Sequence, residues 1–230
     1  MIMRNLRITL FLLSAMLLLM VTNISAQDAL AKDSTSPFSV GADVVSTYVW
    51  RGSAFSGPSI QPSVKYTKGG FSVGIWGSVD FAGTYAEADP FISYTAPFGL
   101  SLGVSDYYYP GLDLFNVSDT AGSHGLELNL GYTIKGFSLS ANYIVNEAPG
   151  AGTVGGDTYI QAGYNFKYFN VFLGAGNGWY TSDTDFAICN IGLGATKVIK
   201  VTDTFSIPVF GQIVVNPEKK NLFLVVGFTF

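Results

Sequence analysis

Asp43, Arg51, Lys65, Asp80, Glu87, Asp89 and Glu127 are the side chains with most chemistry to offer, because each falls on the polar phase of an alternating stretch. Successive residues of a strand face opposite sides, so Glu87 and Asp89 project together while Ala88 turns away. Charged groups at membrane depth are costly unless they pair or meet water. Two uses fit such a set. It forms an ion-pair network that fills and stiffens a narrow interior, or a constriction that sorts small hydrophilic solutes by charge. One bore can do both. Trp76 shares the inward phase, where it serves either as packing or as a platform on which a sugar ring stacks.

Enzymatic chemistry finds less support. The single histidine, His124, lies in Ser123-His124-Gly125 at the start of a strand-like segment. A hydrolase needs a nucleophile held by that base and a third group orienting it. The H-x-S spacing of the outer-membrane phospholipase is absent, since Leu126 stands two residues on. One histidine and one cysteine, Cys189, give no metal or cofactor motif, and Cys189 alone closes no internal disulfide.

The elements that position these groups are strands. Val40, Ala42, Val44, Tyr48 and Trp50 alternate with Asp43, Thr47 and Arg51 over 38–51. The same period of two runs through 59–68, 71–81, 85–96, 100–109, 123–135 and 137–147. In the sixth of these segments Leu126, Leu128, Leu130, Tyr132 and Ile134 oppose Glu127, Asn129, Gly131, Thr133 and Lys135. Segments at 158–168, 170–180, 186–199, 204–216 and 221–230 complete a set of twelve. Phase is ambiguous in the tenth and eleventh, where Pro208 predicts a bulge or an unpaired position. Short connections such as Gly69-Gly70 and Gly136 alternate with longer ones such as 111–122 and 148–156. Lysines 68, 135, 167, 197 and 200 gather at the short-turn rim, and acidic residues at the other.

Composition fits such strands better than a water-soluble domain. Charged residues make up 12% and apolar ones 48%, against about 25% charged in an average soluble domain. Arg4 and Arg7 precede an apolar run from Ile8 to Thr22 and then Ile24-Ser25-Ala26, which predicts a secretory signal peptide over 1–26. Residues 27–37 read as a short periplasmic lead-in. Without Arg4 and Arg7 the chain keeps ten basic against 16 acidic side chains, which excludes a nucleic-acid partner because no basic patch can neutralise phosphates. No second long apolar run follows, yet a barrel hides its lipid-facing residues by alternation.

Leu222, Leu224, Val226, Phe228 and Phe230 form one apolar stripe that ends on an aromatic residue. This resembles the terminal strand of outer-membrane β-barrels, and the resemblance implies that Phe228 and Phe230 signal to the barrel-assembly machinery. Tyr48-Val49-Trp50-Arg51-Gly52, then Pro58-Ser59-Ile60-Gln61-Pro62, resembles the TorF-type porins. Val73-Gly74-Ile75-Trp76, Glu87-Ala88-Asp89 and Tyr107-Tyr108-Tyr109-Pro110 extend the likeness over residues 40–110. It implies an outer-membrane barrel that passes solutes.

The fold expected is therefore an all-β, transmembrane, antiparallel up-and-down barrel of about twelve strands over 38–230, in contact with outer-membrane lipid. Tyr48, Trp50, Tyr66, Tyr107, Tyr109 and Trp179 are expected as an aromatic girdle at the headgroup boundary. Twelve strands lie between the roughly eight that leave room only for side chains and the 16–18 that leave an aqueous channel. Conduction through a narrow charged bore and a closed barrel with a structural or surface-interaction role both remain compatible with that size.

Overall fold

Leu126 and Leu128 stand exposed on the outer wall while Glu127 and Asn129 are buried between them. That alternation organises the whole chain. In the last strand Leu224 is 69% exposed and Val225 only 4%. The computed structural model describes residues 36–230, so the expected signal peptide over 1–26 and almost all of the expected lead-in lie outside the described residues.

The strands in chain order are β1 (Phe38–Val45), β2 (Tyr48–Trp50), β3 (Ser53–Ser56), β4 (Ser59–Lys68), β5 (Phe71–Asp80), β6 (Ala86–Thr95) and β7 (Leu100–Tyr108). They continue as β8 (His124–Ile134), β9 (Phe137–Ile144), β10 (Thr158–Asn165), β11 (Asn170–Gly176), β12 (Ala187–Lys200), β13 (Ser206–Asn216) and β14 (Asn221–Thr229). Twelve of them, β1 and β4 to β14, form a closed antiparallel barrel in sequence order. The other two, β2 and β3, pair only with each other. Among the described residues the only helical pieces are two 3₁₀ turns, Pro149–Ala151 and Gly178–Tyr180.

The seam joins β1 to β14 through the pairs Asp43↔Thr229, Val44↔Phe228 and Val45↔Gly227. Phe230 extends it, exchanging backbone bonds of 2.8 and 3.0 Å with Ala42. Closure in this way leaves no sheet edge to pair with other chains. The terminal strand thus closes the barrel, and its apolar stripe faces outward.

Connections differ at the two ends. At one rim the chain turns at 69–70, 96–99, 135–136, 166–169 and 201–205. Gly69 and Gly70 both take positive φ, 60° and 84°, which matches the two-residue hairpin turn whose twist suits paired strands. At the opposite rim lie the longer links, including 109–123 and 145–157, with 81–85 and 217–220 the brief exceptions.

The ambiguous phase near residue 190 has a structural cause. A register shift between Gly174 and Ala175 on β11 makes two successive residues of β12, Cys189 and Asn190, buried together. Pro208 follows the second of its two expected forms. It stays in regular register with Val198 of β12, and β14 begins pairing with β13 only at Val209. The missing proline N–H therefore costs no ladder bond.

The first segment departs from its expected single strand over 38–51. Its regular pairing stops at Val45, and residues 48–56 turn back as the separate β2–β3 hairpin. That hairpin is the feature on which the interior depends.

Candidate functional site

The β2–β3 hairpin leaves the end of β1 and folds into the mouth at the long-link rim. Arg51 and Gly52 make its tip with φ values of 47° and 83°, a tight turn that Arg51 accepts only because its side chain is firmly held. Gly52 lies against β12: a Cβ there would meet the Cys189 carbonyl oxygen at 1.9 Å. Asn216 on β13 donates its side-chain amide to the Gly52 carbonyl at 3.0 Å, and Lys219 donates to the Ser53 hydroxyl at 3.0 Å. The hairpin is therefore held by β1 on one side and by β13 and β12, two and three strands further round the barrel, on the other.

Arg51 fixes it to a third wall. Its guanidinium forks onto both carboxylate oxygens of Glu127 on β8, at 2.5 and 2.8 Å. It also donates to the Tyr180 hydroxyl at 2.6 Å and lies 4.4 Å from the Trp50 ring centre and 4.6 Å from that of Tyr159. Glu127 is 0% exposed and receives further bonds from Tyr107 at 2.9 Å and Asn129 at 2.5 Å. A fully desolvated carboxylate is tolerable only with this degree of pairing. Bidentate geometry adds direction as well as strength.

Aromatic rings pack around the ion pair. Trp50 meets Tyr107 at 5.3 Å, Tyr180 at 5.5 Å and Trp179 at 6.2 Å between ring centres. A second group, Tyr48, Phe55, Trp76 and Tyr85, lies beside β5 with centroids 5.5–5.9 Å apart. Trp76 thus acts as packing for the hairpin. The links contribute too: Trp179 donates its indole N–H to the Gly152 carbonyl at 2.5 Å, tying two links together over the mouth. Burial, reinforced by Glu87, holds the Tyr85 and Tyr109 hydroxyls well above the usual tyrosine range, so both stay neutral.

The seven ionisable candidates occupy several places instead of one ring. Arg51 and Glu127 meet directly, and Glu87 and Asp89 lie buried together on β6. Asp80 caps the 81–85 link, accepting from the Thr84 N–H and hydroxyl, each at 2.7 Å, and from the Tyr85 N–H at 2.9 Å. Asp43 accepts from Thr229 at 2.5 Å across the seam, and Lys65 lies half-buried further toward the short turns.

The girdle expectation needs correction for most of its members. Tyr48 and Tyr107 are buried inside the mouth, and Trp50 and Trp179 pack against them there. Tyr109 packs on Tyr85 at 6.1 Å. Only Tyr66 stands at the outer short-turn rim, its ring 4.9 Å from that of Phe38. For Tyr48 and Trp50 the phase error is physical, because once the chain leaves β1 its side chains no longer alternate between lipid and lumen. Tyr107 instead follows the inward phase of Ser101 and Ser105 on β7, and Tyr109 and Trp179 lie in links. Outward aromatics that the sequence reading passed over include Tyr94, Tyr143, Tyr164 and Phe166.

His124 faces outward at the long-link rim. Its ring lies 2.8 Å from an Asp106 carboxylate oxygen and 2.8 Å from the Leu114 carbonyl, and it stacks on Tyr108 at 5.3 Å. Both ring nitrogens are engaged in holding the 109–123 link. Tyr159 and Tyr180, which line the Arg51 pocket, carried no sequence signal beyond their alternation or their place in a link.

A closed twelve-stranded barrel with its mouth filled by an inward hairpin defines the class. The chain belongs to the family described as bacterial protein of unknown function (Gcw_chp), which it matches over residues 31–205. That description assigns no function and does not carry the TorF name. No curated protein matches the chain. Among solved structures, two mutants of a Rh. blastica porin align at 14% identity over 86% of this chain and 74% of theirs, with TM-scores of 0.44 and 0.45. A porin refined at 1.8 Å resolution aligns at 15% identity over 76% of this chain and 62% of its own, with a TM-score of 0.35. The barrel assignment rests on this chain's own strand pairing.

Proposed function

We propose that the protein is a non-enzymatic barrel of the bacterial outer membrane that gives small hydrophilic solutes passive passage when the β2–β3 hairpin leaves the mouth. An outer wall of exposed Leu, Ile, Val and Phe supports residence in lipid, because only hydrocarbon covers such a surface without cost. An outward stripe ending in Phe228 and Phe230 supports assembly by the outer-membrane machinery.

The observation that carries the reading is a difference within the bore. Its filling at the long-link end comes mainly from a segment outside the barrel ladder, held at its tip by the Arg51–Glu127 ion pair. Below it the inward positions are mostly small or polar, among them Ser72, Gly74, Gly103, Ser140, Gly163 and Gln212. Such a lining suits water, and the hairpin is then a removable stopper.

A permanently closed barrel with a structural or surface role is the second reading, favoured by the complete burial of Glu127 and near-complete burial of Tyr180. Planar-bilayer recording separates the two. Arg51→Ala should convert rare, brief steps into frequent long openings. An Arg51→Ala barrel that inserts and stays silent supports the closed reading.

A further inference from the structure

Glu87 and Asp89 present a problem that the hairpin does not solve. Both project from the same face of β6, with 5% and 6% of their surface exposed. Among the described residues neither forms an ion pair with a basic side chain. Arg51 is committed to Glu127, and Lys219 to Ser53. The Tyr85 hydroxyl donates to Glu87 at 2.7 Å. Asp89 receives one long contact from the Tyr108 N–H, at 3.4 Å.

A second observation falls at the same place. Ser78 on β5 stands directly across the ladder from Glu87, on the inward face, where opposed Cβ atoms lie about 5 Å apart. Its side chain is 0% exposed and its hydroxyl oxygen has no hydrogen-bond partner. Buried hydroxyls are rarely left so, because an unmade bond costs about 1–3 kcal/mol. Two carboxylates and an orphaned hydroxyl oxygen are hard donors of the kind that suit calcium, and no sulfur or imidazole competes.

We propose that Glu87, Asp89 and Ser78 bind a divalent cation of the calcium type in the barrel wall beneath the hairpin, with water completing its shell. The inference stands independently of whether the bore conducts. The ion neutralises the pair and gives the Ser78 oxygen its partner. It also stiffens the wall on which Tyr48 and Tyr85 pack, since Tyr85 bonds to Glu87 and Tyr48 packs on Tyr85.

The test is calcium titration of the refolded full-length barrel in detergent after chelator treatment, read by calorimetry and by Tm. Saturable binding is expected, with Tm rising roughly 5–10 °C at a hundredfold excess over Kd. Glu87→Gln with Asp89→Asn should abolish both signals. Ser78→Ala should weaken binding on the order of tenfold while leaving the fold intact, and so carries the test if the double variant does not refold. Asp183→Asn with Asp185→Asn, on the exposed rim, should change nothing. No saturable binding to the wild type would mean that a shared proton alone neutralises the pair. That result, or binding that survives in the Glu87/Asp89 variant or disappears in the rim variant, overturns the site.

Discussion

The two halves of the bore are built by different rules. Toward the short turns the strands alternate regularly, and the inward positions carry mostly small or polar residues against an apolar outer wall. The exceptions are Phe91, Phe172 and Phe210, which lie over Gly74, Gly192 and Gly227. Toward the long links the interior is packed like a soluble core, with Ile144, Tyr159, Tyr180 and Glu127 almost wholly buried. Much of that core comes from residues outside the barrel strands, namely the β2–β3 hairpin and the 3₁₀ turn Gly178–Tyr180. One sequence thus makes a lined tube below and a stoppered mouth above. The lesson is that strand number does not set bore width by itself; what the links place inside the mouth decides it.

The largest effect should come from unpairing the ion pair. Arg51→Ala leaves Glu127 buried without its partner, and loss of one member of a buried pair costs about 3–5 kcal/mol. Urea unfolding in detergent would measure it. Arg51→Met combined with Glu127→Leu should recover most of that loss, since the volume stays filled and no charge is stranded.

Two glycines sharpen the contrast between the halves. Gly52→Ala combines a positive φ with a Cβ driven into the Cys189 backbone, and should cost about 3 kcal/mol or more while displacing the hairpin tip. Gly69→Ala meets nothing within 4 Å, so only the left-handed backbone resists, at about 1 kcal/mol. Equal losses at both positions would mean that the mouth is no tighter than the turn.

Deleting Phe230 removes the two backbone bonds to Ala42 at the seam. About 1–3 kcal/mol should go with them, and surface levels in cells should fall. Asp43→Asn should do least, under about 1 kcal/mol, because an amide still accepts the Thr229 hydroxyl bond. A large effect there would place structural weight in the half that is read as a simple lined tube.

Much of the barrel was legible in the sequence because a strand between lipid and lumen must alternate. Leu126 to Leu130 and the terminal stripe declared their faces without any tertiary information. The inward placement of Glu87, Asp89 and Glu127 followed from the same period. The hairpin did not, because Tyr48, Trp50 and Arg51 continue the alternation of β1 in sequence while the chain has already left the wall. Arg51-Gly52 as a turn, after Ser46-Thr47, was the local signal available. Cys189 and Asn190 hid behind a bulge for a similar reason: periodicity cannot report where a register slips. Partners such as Arg51 with Glu127, 76 residues apart, are set by closure of the barrel and not by any local pattern.

The most direct measurement replaces residues 47–57 by a short Gly-Ser link and records single-channel conductance beside the wild type. If the hairpin is what fills the mouth, the replaced barrel should show stable, long-lived steps where the wild type is mostly shut. Barrels that refold, insert and remain non-conducting without those residues would contradict it.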